Sequence, residues 1–171
     1  MAILEVVKHG HPVLVEGVKH VEEIDDEIRT LIDDMIDTMR HGETPAVGLA
    51  APQVGRAMAI FVAEPPPDYE GTEAVYNGAI VFINPEIVLG SGLTVVEEGC
   101  VSCPGITADV ERPARVVIKG LDRDGNEVKL DVDGALARIF QHEYDHLLGK
   151  FFFDHVNPIK RQLLKSRIRR T

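Results

Sequence analysis

Residues 141–149, QHEYDHLLG, carry two histidines four positions apart, and this spacing restricts both the fold and the chemistry of the chain. In an α-helix, residues four apart lie on one face, so His142 and His146 can reach the same metal ion. Glu143 is turned about 100° from His142, which puts its carboxylate beside such a metal. An H-E-x-x-H pattern on a helix is typical of metal-dependent hydrolases, in which the glutamate is the general base.

A catalytic metal site of this kind needs a third protein ligand and an open position for water. After His146, the available acidic or histidine side chains are Asp154 and His155, and their spacing fits no common H-E-x-x-H enzyme. Upstream, Cys100 lies in the segment EEGCVSCPG, and a thiolate binds zinc or iron well. The sequence therefore predicts an open site formed by Cys100, His142 and His146.

A closed structural site is the alternative. Cys100 and Cys103 together with His142 and His146 would form a Cys₂His₂ set, a common zinc pattern. The 38 residues between Cys103 and His142 exceed the roughly 12–15 of a zinc finger. Such a site would also have no use for Glu143. In that case the chain would be a binding module without catalytic activity.

The periodicity of apolar residues predicts three helices. The first spans residues 25–41, stops at Gly42 and buries the stripe Ile28, Leu31, Ile32, Met35 and Met39. The second spans 135–148, with Gly149 as its left-handed terminator. The third begins at the cap Asn157 and Pro158, and its apolar stripe comprises Ile159, Leu163, Leu164 and Ile168.

Strands are predicted at 57–63, at 79–88 with a break at Pro85, at 93–102, and in a hairpin over 114–134. Residues 64–78 form a predicted loop. Because helices and strands are segregated along the chain, we expect an α+β fold with mostly antiparallel sheets. The sheets would surround a central metal-binding helix, with an N-terminal helix and a C-terminal helix, in a single domain over residues 1–171.

Composition limits location and partners. No segment approaches the roughly 20 apolar residues of a membrane span, the N-terminus does not resemble a signal peptide, and the two cysteines suggest no disulfide framework. These features predict a cytoplasmic protein.

The net charge of −10 argues against general nucleic-acid binding. Residues 155–171 nevertheless carry a basic tail without acidic residues: Lys160, Arg161, Lys165, Arg167, Arg169 and Arg170.

A third segment, AVGLAAPQ at 46–53, combines small residues that permit close backbone approach with a final amide side chain. Gln53 could donate a hydrogen bond to a developing oxyanion, although a tight core turn would use the same residues. The segments AVGLAAPQ, EGCVS (98–102) and QHEYDH (141–146), in this order, resemble the signature of the peptide deformylases. The likeness extends over nearly the whole chain.

The resemblance implies hydrolysis of the N-formyl group from the formyl-methionine of newly synthesised polypeptides. It implies one divalent metal, often native Fe²⁺, with Zn²⁺ or Ni²⁺ in purified protein. The ligands would be Cys100, His142 and His146. Glu143 would take a proton from the attacking water and deliver it to the leaving amine.

The resemblance also assigns residues that contact the substrate. Gln53 and the backbone N–H of Val101 would stabilise the oxyanion. The methionine pocket and the strand-like pairing with the peptide would use Val47, Gly48, Val96, Glu98, Gly99 and Ile139. We also expect Asp145 to pair with Arg112.

Four positions depart from the family pattern. Ala46 replaces a glycine, which is harmless if its φ is negative. Val101 replaces a leucine in a role that uses only the backbone. Thr107 stands where many members carry an arginine, and Cys103 where most carry an aliphatic residue. Cys103 is therefore expected to make the site more sensitive to oxidation.

The basic tail suggests a macromolecular partner. A substrate that emerges from the ribosome would bring the enzyme near ribosomal RNA, whose phosphates a basic helix can contact. Core packing by Ile159, Leu163 and Leu164 is the alternative role for this helix.

Overall fold

The computed structural model describes residues 2–169 of the chain, without the side chain of Arg169. Its three α-helices are α1 (Asp26–His41), α2 (Gly134–Leu147) and α3 (Pro158–Arg169). Three short 3₁₀ segments lie at Pro12–Leu14, Ala51–Val54 and Phe152–His155. The predicted helices are therefore confirmed to within one residue at their starts.

Within residues 2–169, eight strands form two antiparallel sheets. They are β1 (Gly48–Ala50), β2 (Ile60–Ala63), β3 (Val75–Tyr76), β4 (Ala79–Ser91), β5 (Thr94–Cys100), β6 (Cys103–Arg112), β7 (Arg115–Leu121) and β8 (Glu127–Asp133). The larger sheet has the order β1-β2-β4-β7-β8, with β3 also paired to β4, and β5 and β6 form a separate two-stranded sheet. The α+β fold with antiparallel sheets is confirmed.

The two helices α1 and α2 lie on opposite faces of the larger sheet. Alternation along β2 sends Ile60 and Val62 to the α1 side and Phe61 and Ala63 to the α2 side. The apolar stripe predicted for α1 is buried in full. On the other face, Phe140 of α2 contacts Phe61 and Phe82, with ring centroids 5.7 and 5.5 Å apart. The helix that carries the histidines is thus packed rigidly against the sheet.

Side chains and glycines at the helix ends provide the caps, of which Asn157 and Gly149 were predicted and Asp25 was not. The Asp25 carboxylate accepts a hydrogen bond from the Ile28 N–H at 3.0 Å, and Asn157 Oδ1 accepts one from the Lys160 N–H at 2.9 Å. Gly149 has φ = +75°, the left-handed conformation expected after α2.

The predicted break at Pro85 is wrong, because β4 continues to Ser91. The register against β7 shifts between Ile83 and Glu86, and this irregularity accommodates a residue that has no N–H to donate. Residues 64–78, predicted as a loop, also contain the short strand β3.

No element was predicted for residues 103–112, yet β6 is ten residues long and pairs with β5 from Arg112 to Cys103. A hairpin turn at Val101 and Ser102 joins the two strands, so the predicted strand over 93–102 ends at Cys100.

The apolar stripe predicted for α3 is only half correct. Leu164 is 3% exposed, whereas Ile159 and Leu163 are 77% and 58% exposed. Five residues along a helix amount to a net rotation of about 140°, so Ile159 and Leu164 cannot share one face. Core packing therefore depends on Leu164 and the partly buried Ile168. Of the basic tail, Arg170 and the side chain of Arg169 lie outside the described residues.

Among residues 2–169, no helix has the length and apolar character needed to cross a membrane.

Candidate metal centre and active site

The three predicted metal ligands converge although they come from two different parts of the fold. Cys100 ends β5, while His142 and His146 lie one turn apart on α2. One ligand atom from each side chain lies within 4.8 Å of the others, and Cys100 Sγ is 3.4 Å from His146 Nε2. The helix supplies two donors and the small sheet supplies the third.

The donor set fits a divalent transition metal. A thiolate with two imidazoles suits zinc or iron, and three protein ligands leave a coordination position open. His142 Nδ1 lies 3.0 Å from Glu98 Oε1, which leaves Nε2 of this ring available as a ligand. His146 is 1% exposed, so its ring is held by the surrounding core.

The pKa values of the two histidines are shifted in opposite directions. Burial opposes the charged form of His142, but hydrogen bonds with Cys100 and Glu98 outweigh it and raise the pKa to about 10. Burial lowers the pKa of His146 to about 3. Metal ligands must be deprotonated, so binding of a cation is expected to release a proton from His142.

Cys103 does not join this group. Among the described residues, the cluster able to hold a metal comprises Cys100, His142 and His146. Cys103 instead packs in an apolar cluster with Phe151, Phe152 and Phe153. Burial raises the pKa of its thiol to about 12, which disfavours the thiolate that a metal requires. The structure therefore disfavours the closed Cys₂His₂ site.

Glu143 has the environment expected of a general base. Its side chain is buried, and burial raises the pKa to about 7. Its Oε2 atom has no hydrogen-bond partner among the described residues. On the other side, the carboxylate packs so closely on Gly48 that a Cβ there would lie 2.7 Å from Oε1. The carboxylate of Glu143 is thus confined between its own helix, α2, and strand β1.

The amide of Gln53 is oriented by its neighbours. Its Oε1 accepts a hydrogen bond from the Ala50 N–H at 2.9 Å, so that Nε2 faces Cys100 Sγ at 3.4 Å and Ser102 Oγ at 3.2 Å. Val101 follows Cys100 in the hairpin turn, and its carbonyl accepts a hydrogen bond from Lys8 Nζ at 3.1 Å. Both predicted oxyanion donors therefore lie beside the cysteine.

A cleft of about 1110 Å³ opens onto these residues. Every residue predicted to contact substrate or metal lines it, except His146, which lies buried behind. Those residues are Val47, Gly48, Gln53, Val96, Glu98, Gly99, Cys100, Val101, Ile139, His142 and Glu143. Thr107 also lines the cleft, and the φ of Ala46 is not in the left-handed range. The substitution at Ala46 therefore introduces no backbone strain.

Glu98 connects the small sheet to the helix. Its carboxylate accepts two hydrogen bonds from Arg112, at 2.6 and 2.9 Å. Burial alone would raise the pKa of Glu98, but its bonds with His142 and Arg112 bring it to about 2. Arg112 also donates to Asp145 Oδ2 at 2.9 Å, which confirms the predicted pair. Asp145 in turn lies 2.6 Å from His155 Nε2.

No role was predicted for three side chains of this region: Ser102, Arg138 and His155. Arg138 contacts Glu98, and only its position four residues before His142 could have indicated this. Ser102 contacts Gln53, and His155 contacts Asp145. Both are tertiary contacts that the local sequence pattern does not predict.

Comparisons with known proteins agree with this arrangement. The family model described as polypeptide deformylase matches residues 3–162. The peptide deformylase of Thermodesulfovibrio yellowstonii is 41% identical over 99% of this chain and 98% of its own length. That of Halothermothrix orenii is 44% identical over 96% of this chain and 100% of its own length.

Solved structures give the same result. The crystal structure of peptide deformylase from Ehrlichia chaffeensis in complex with actinonin has a TM-score of 0.87 and 36% identity, covering 99% of this chain and 98% of that chain. The enzyme from Thermus thermophilus has a TM-score of 0.85 and 34% identity, covering 98% and 93%. A family match over most of the sequence, close relatives over its full length and the shared fold together establish that the chain belongs to the peptide deformylase family.

Proposed function

We infer that the cleft residues carry out the family's reaction, with Cys100, His142 and His146 as metal ligands and Glu143 as general base. The chain is a metal-dependent hydrolase that removes the N-formyl group from newly made polypeptides. The observation that carries the residue assignment is the convergence of one thiol and two imidazoles within 4.8 Å. Buried Glu143 lines the same cleft as Cys100 and His142.

A bound divalent metal would supply Lewis-acid chemistry, polarising the formyl carbonyl and acidifying a water molecule. Glu143 accepts the proton of the attacking water and then delivers it to the departing amine. Burial raises the pKa of this carboxyl above its usual range, which favours both the acceptance and the later release of a proton near neutral pH. Confinement against Gly48 keeps the carboxylate in one place during this transfer.

Two donors of the chain stabilise the oxyanion of the tetrahedral intermediate. The Gln53 amide is held by Ala50 with its N–H group towards Cys100. The second donor is the backbone N–H of Val101. Removal of one such donor costs about 2.7–4 kcal/mol in the barrier of other acyl-transfer enzymes.

The peptide binds along two strands that flank the cleft. β1 is the terminal strand of the larger sheet, and β5 has β6 as its single strand partner in the described sheet. The backbone of Gly48 on one side and of Glu98 and Gly99 on the other can therefore pair with an extended peptide. Val47 and Val96 are 59% and 46% exposed, which leaves apolar surface for the methionine side chain next to Ile139.

The native metal is proposed to be Fe²⁺, with Zn²⁺ or Ni²⁺ occupying the purified protein. A thiolate with two imidazoles accommodates all three ions. The unpaired thiols Cys100 and Cys103 are compatible with the reducing cytoplasm in which nascent formylated chains are expected.

The proposed partner of the basic tail is ribosomal RNA. Lys160 and Arg167 are exposed on α3, as are the apolar side chains of Ile159 and Leu163. Reversing the charge of Lys160 and Arg167 to glutamate should weaken salt-sensitive cosedimentation with ribosomes, whereas Lys129→Glu on β8 should not. Equal cosedimentation of all variants would contradict this role. Deletion of α3 is a poorer test because it removes buried Leu164.

The metal-site assignment is tested by metal content and formate release together. His142→Ala should lose both the tightly bound metal and formate release from formyl-Met-Ala-Ser. His41→Ala, at the exposed end of α1, should keep both. Retention of one metal per chain by His142→Ala would contradict the ligand assignment. Hydrolysis of acetyl-Met-Ala-Ser as fast as the formyl peptide would contradict the proposed acyl group.

A further inference from the structure

Arg138 makes an unusual set of contacts next to the proposed metal centre. It lies on α2 one helical turn before His142, and its side chain is 11% exposed. Its Nη1 donates to Glu98 Oε2 and to the Val110 carbonyl at 3.1 Å, and its Nη2 donates to the Thr94 carbonyl at 3.0 Å. One guanidinium thus connects α2 to both strands of the small sheet.

The contacts of Arg138 complete the hydrogen bonding of Glu98. Oε1 of this carboxylate faces His142 Nδ1 at 3.0 Å and Arg112 Nη2 at 2.9 Å. Oε2 accepts from Arg112 Nε at 2.6 Å and from Arg138 Nη1. All four acceptor positions of the carboxylate are therefore used. Without Arg138, one side of Oε2 would lose its donor.

These contacts matter because the metal ligands belong to two different parts of the fold. Cys100 lies on the β5–β6 sheet, whereas His142 and His146 belong to the helix packed on the larger sheet. The distance between the thiol and the imidazoles depends on how these units are joined. Glu98 and Arg112 provide part of the connection, through His142 and Asp145. Arg138 adds the connection that also fixes the backbone of β5 and β6.

Arginine suits this position for a geometric reason. Its planar guanidinium has donors in a fixed fork, so it can satisfy a carboxylate and two carbonyls at once. A lysine offers one ammonium group and cannot match three separated acceptors with the same geometry. Arg138 also lines the cleft, as does its neighbour Ile139.

We propose that Arg138 is a positioning residue of the metal centre: it orients Glu98 against His142 and holds the helix that carries the histidines in register with the strand that carries Cys100. The proposal rests on the assignment of His142 as a metal ligand. Arg138 does not touch the reacting atoms, so its effect should appear first in metal binding.

The test compares Arg138→Met, Arg138→Lys and Arg115→Met. The first keeps most of the stem volume and removes the donors, the second keeps a charge, and the third removes an exposed arginine that pairs with Asp131. Metal affinity is measured by competition with a chelator, and the Co²⁺-substituted proteins are compared by their thiolate-to-metal and d–d absorption bands. Formate release gives kcat and KM separately.

Arg138→Met should bind the metal about tenfold more weakly, the lower end of the range for residues that orient metal ligands, and should show altered Co²⁺ bands. Arg138→Lys should recover part of this loss, and Arg115→Met should behave like wild type. An unchanged metal affinity and Co²⁺ spectrum in Arg138→Met would overturn the proposal, even if its melting temperature fell. A change confined to KM would also overturn it, because the stem would then act only as a pocket wall.

If Arg138→Met does not fold, Arg138→Lys decides alone: weaker metal binding supports the proposal, and wild-type affinity overturns it. The His142→Ala variant separates this inference from the assignment on which it depends. Metal retained by His142→Ala would remove the ligand assignment itself, whereas metal lost from His142→Ala but fully retained by Arg138→Met would remove only the role of Arg138.

Discussion

A single methyl group added at Gly48 tests how closely the fold confines the proposed general base. The Cβ of an alanine at this position would lie 2.7 Å from Glu143 Oε1 and 2.9 Å from its Cγ, where ordinary contacts begin at 3.4 Å. The carboxylate must therefore retreat by about 0.7 Å, the difference between 3.4 and 2.7 Å. A displacement of about 1 Å at a reacting group can lower a rate about 100-fold. We expect Gly48→Ala to lose about that factor in kcat, or about 2.7 kcal/mol.

The assay is formate release under saturating peptide, with metal content measured on the same sample. Metal content should stay at the wild-type level, because the three atoms nearest to the added methyl group all belong to Glu143. Gly99→Ala is the matched comparison in the same cleft: its Cβ would meet Ile106 O and Thr107 Cγ2 at 3.4 Å, an ordinary contact. It should lose less than tenfold in kcat. A Gly48→Ala enzyme within threefold of wild-type kcat would show that the carboxylate tolerates displacement, and would refute this reasoning.

Three further outcomes are expected. Gln53→Ala should lower kcat about 100- to 1,000-fold with metal retained, as measured by single-turnover formate release; an unchanged rate would exclude Gln53 as an oxyanion donor. Cys103→Ile should keep activity and be inactivated more slowly in air, because Cys100 would lose its nearest disulfide partner. Thiol titration and assays at timed intervals measure this inactivation. Loss of metal from the variant would instead favour the closed Cys₂His₂ site. The pKa of Glu143, raised to about 7 by burial, means that kcat/KM should fall as the pH drops and the base is protonated. A bound cation favours the ionised form of Glu143 and so moves this decline in kcat/KM to or below pH 7. A pH profile in which kcat/KM does not fall at low pH would contradict the assignment of Glu143 as general base.

The same raised pKa has a consequence for stability. A carboxyl group whose pKa is higher in the folded state stabilises the fold at low pH, and this contribution is lost as the pH rises through about 7. The metal-free Glu143→Gln protein should therefore melt at a higher temperature than the wild type at pH 8, with a smaller difference at pH 5.

Local patterns were sufficient for much of the fold and for the position of the metal centre. The spacing of Ile28, Leu31 and Met35 predicts the buried face of α1, because a helix repeats every 3.6 residues. In the same way, the i, i+4 spacing of His142 and His146 predicts that both rings face one point.

Features that depend on tertiary partners were not predictable in this way. In β6, Ile106, Ala108 and Val110 alternate with polar residues, but Arg112 at the end of the strand occupies the next inward position, which an apolar residue would usually fill. Its burial makes sense only once Glu98 and Asp145 are brought beside it from 14 and 33 residues away. Arg138 is a similar case, since its acceptors lie on strands that the sequence places far from α2.

The most direct test of the central claim is formate release from formyl-Met-Ala-Ser by protein prepared without oxygen and loaded with Fe²⁺, measured beside Glu143→Ala. The wild type should release formate rapidly, and the variant should keep its metal while losing at least about 100-fold in rate, the contribution expected of a general base. Equal rates for the two proteins would contradict the role of Glu143. No release from either, with a tightly held metal that requires Cys103, would contradict the catalytic metal centre itself.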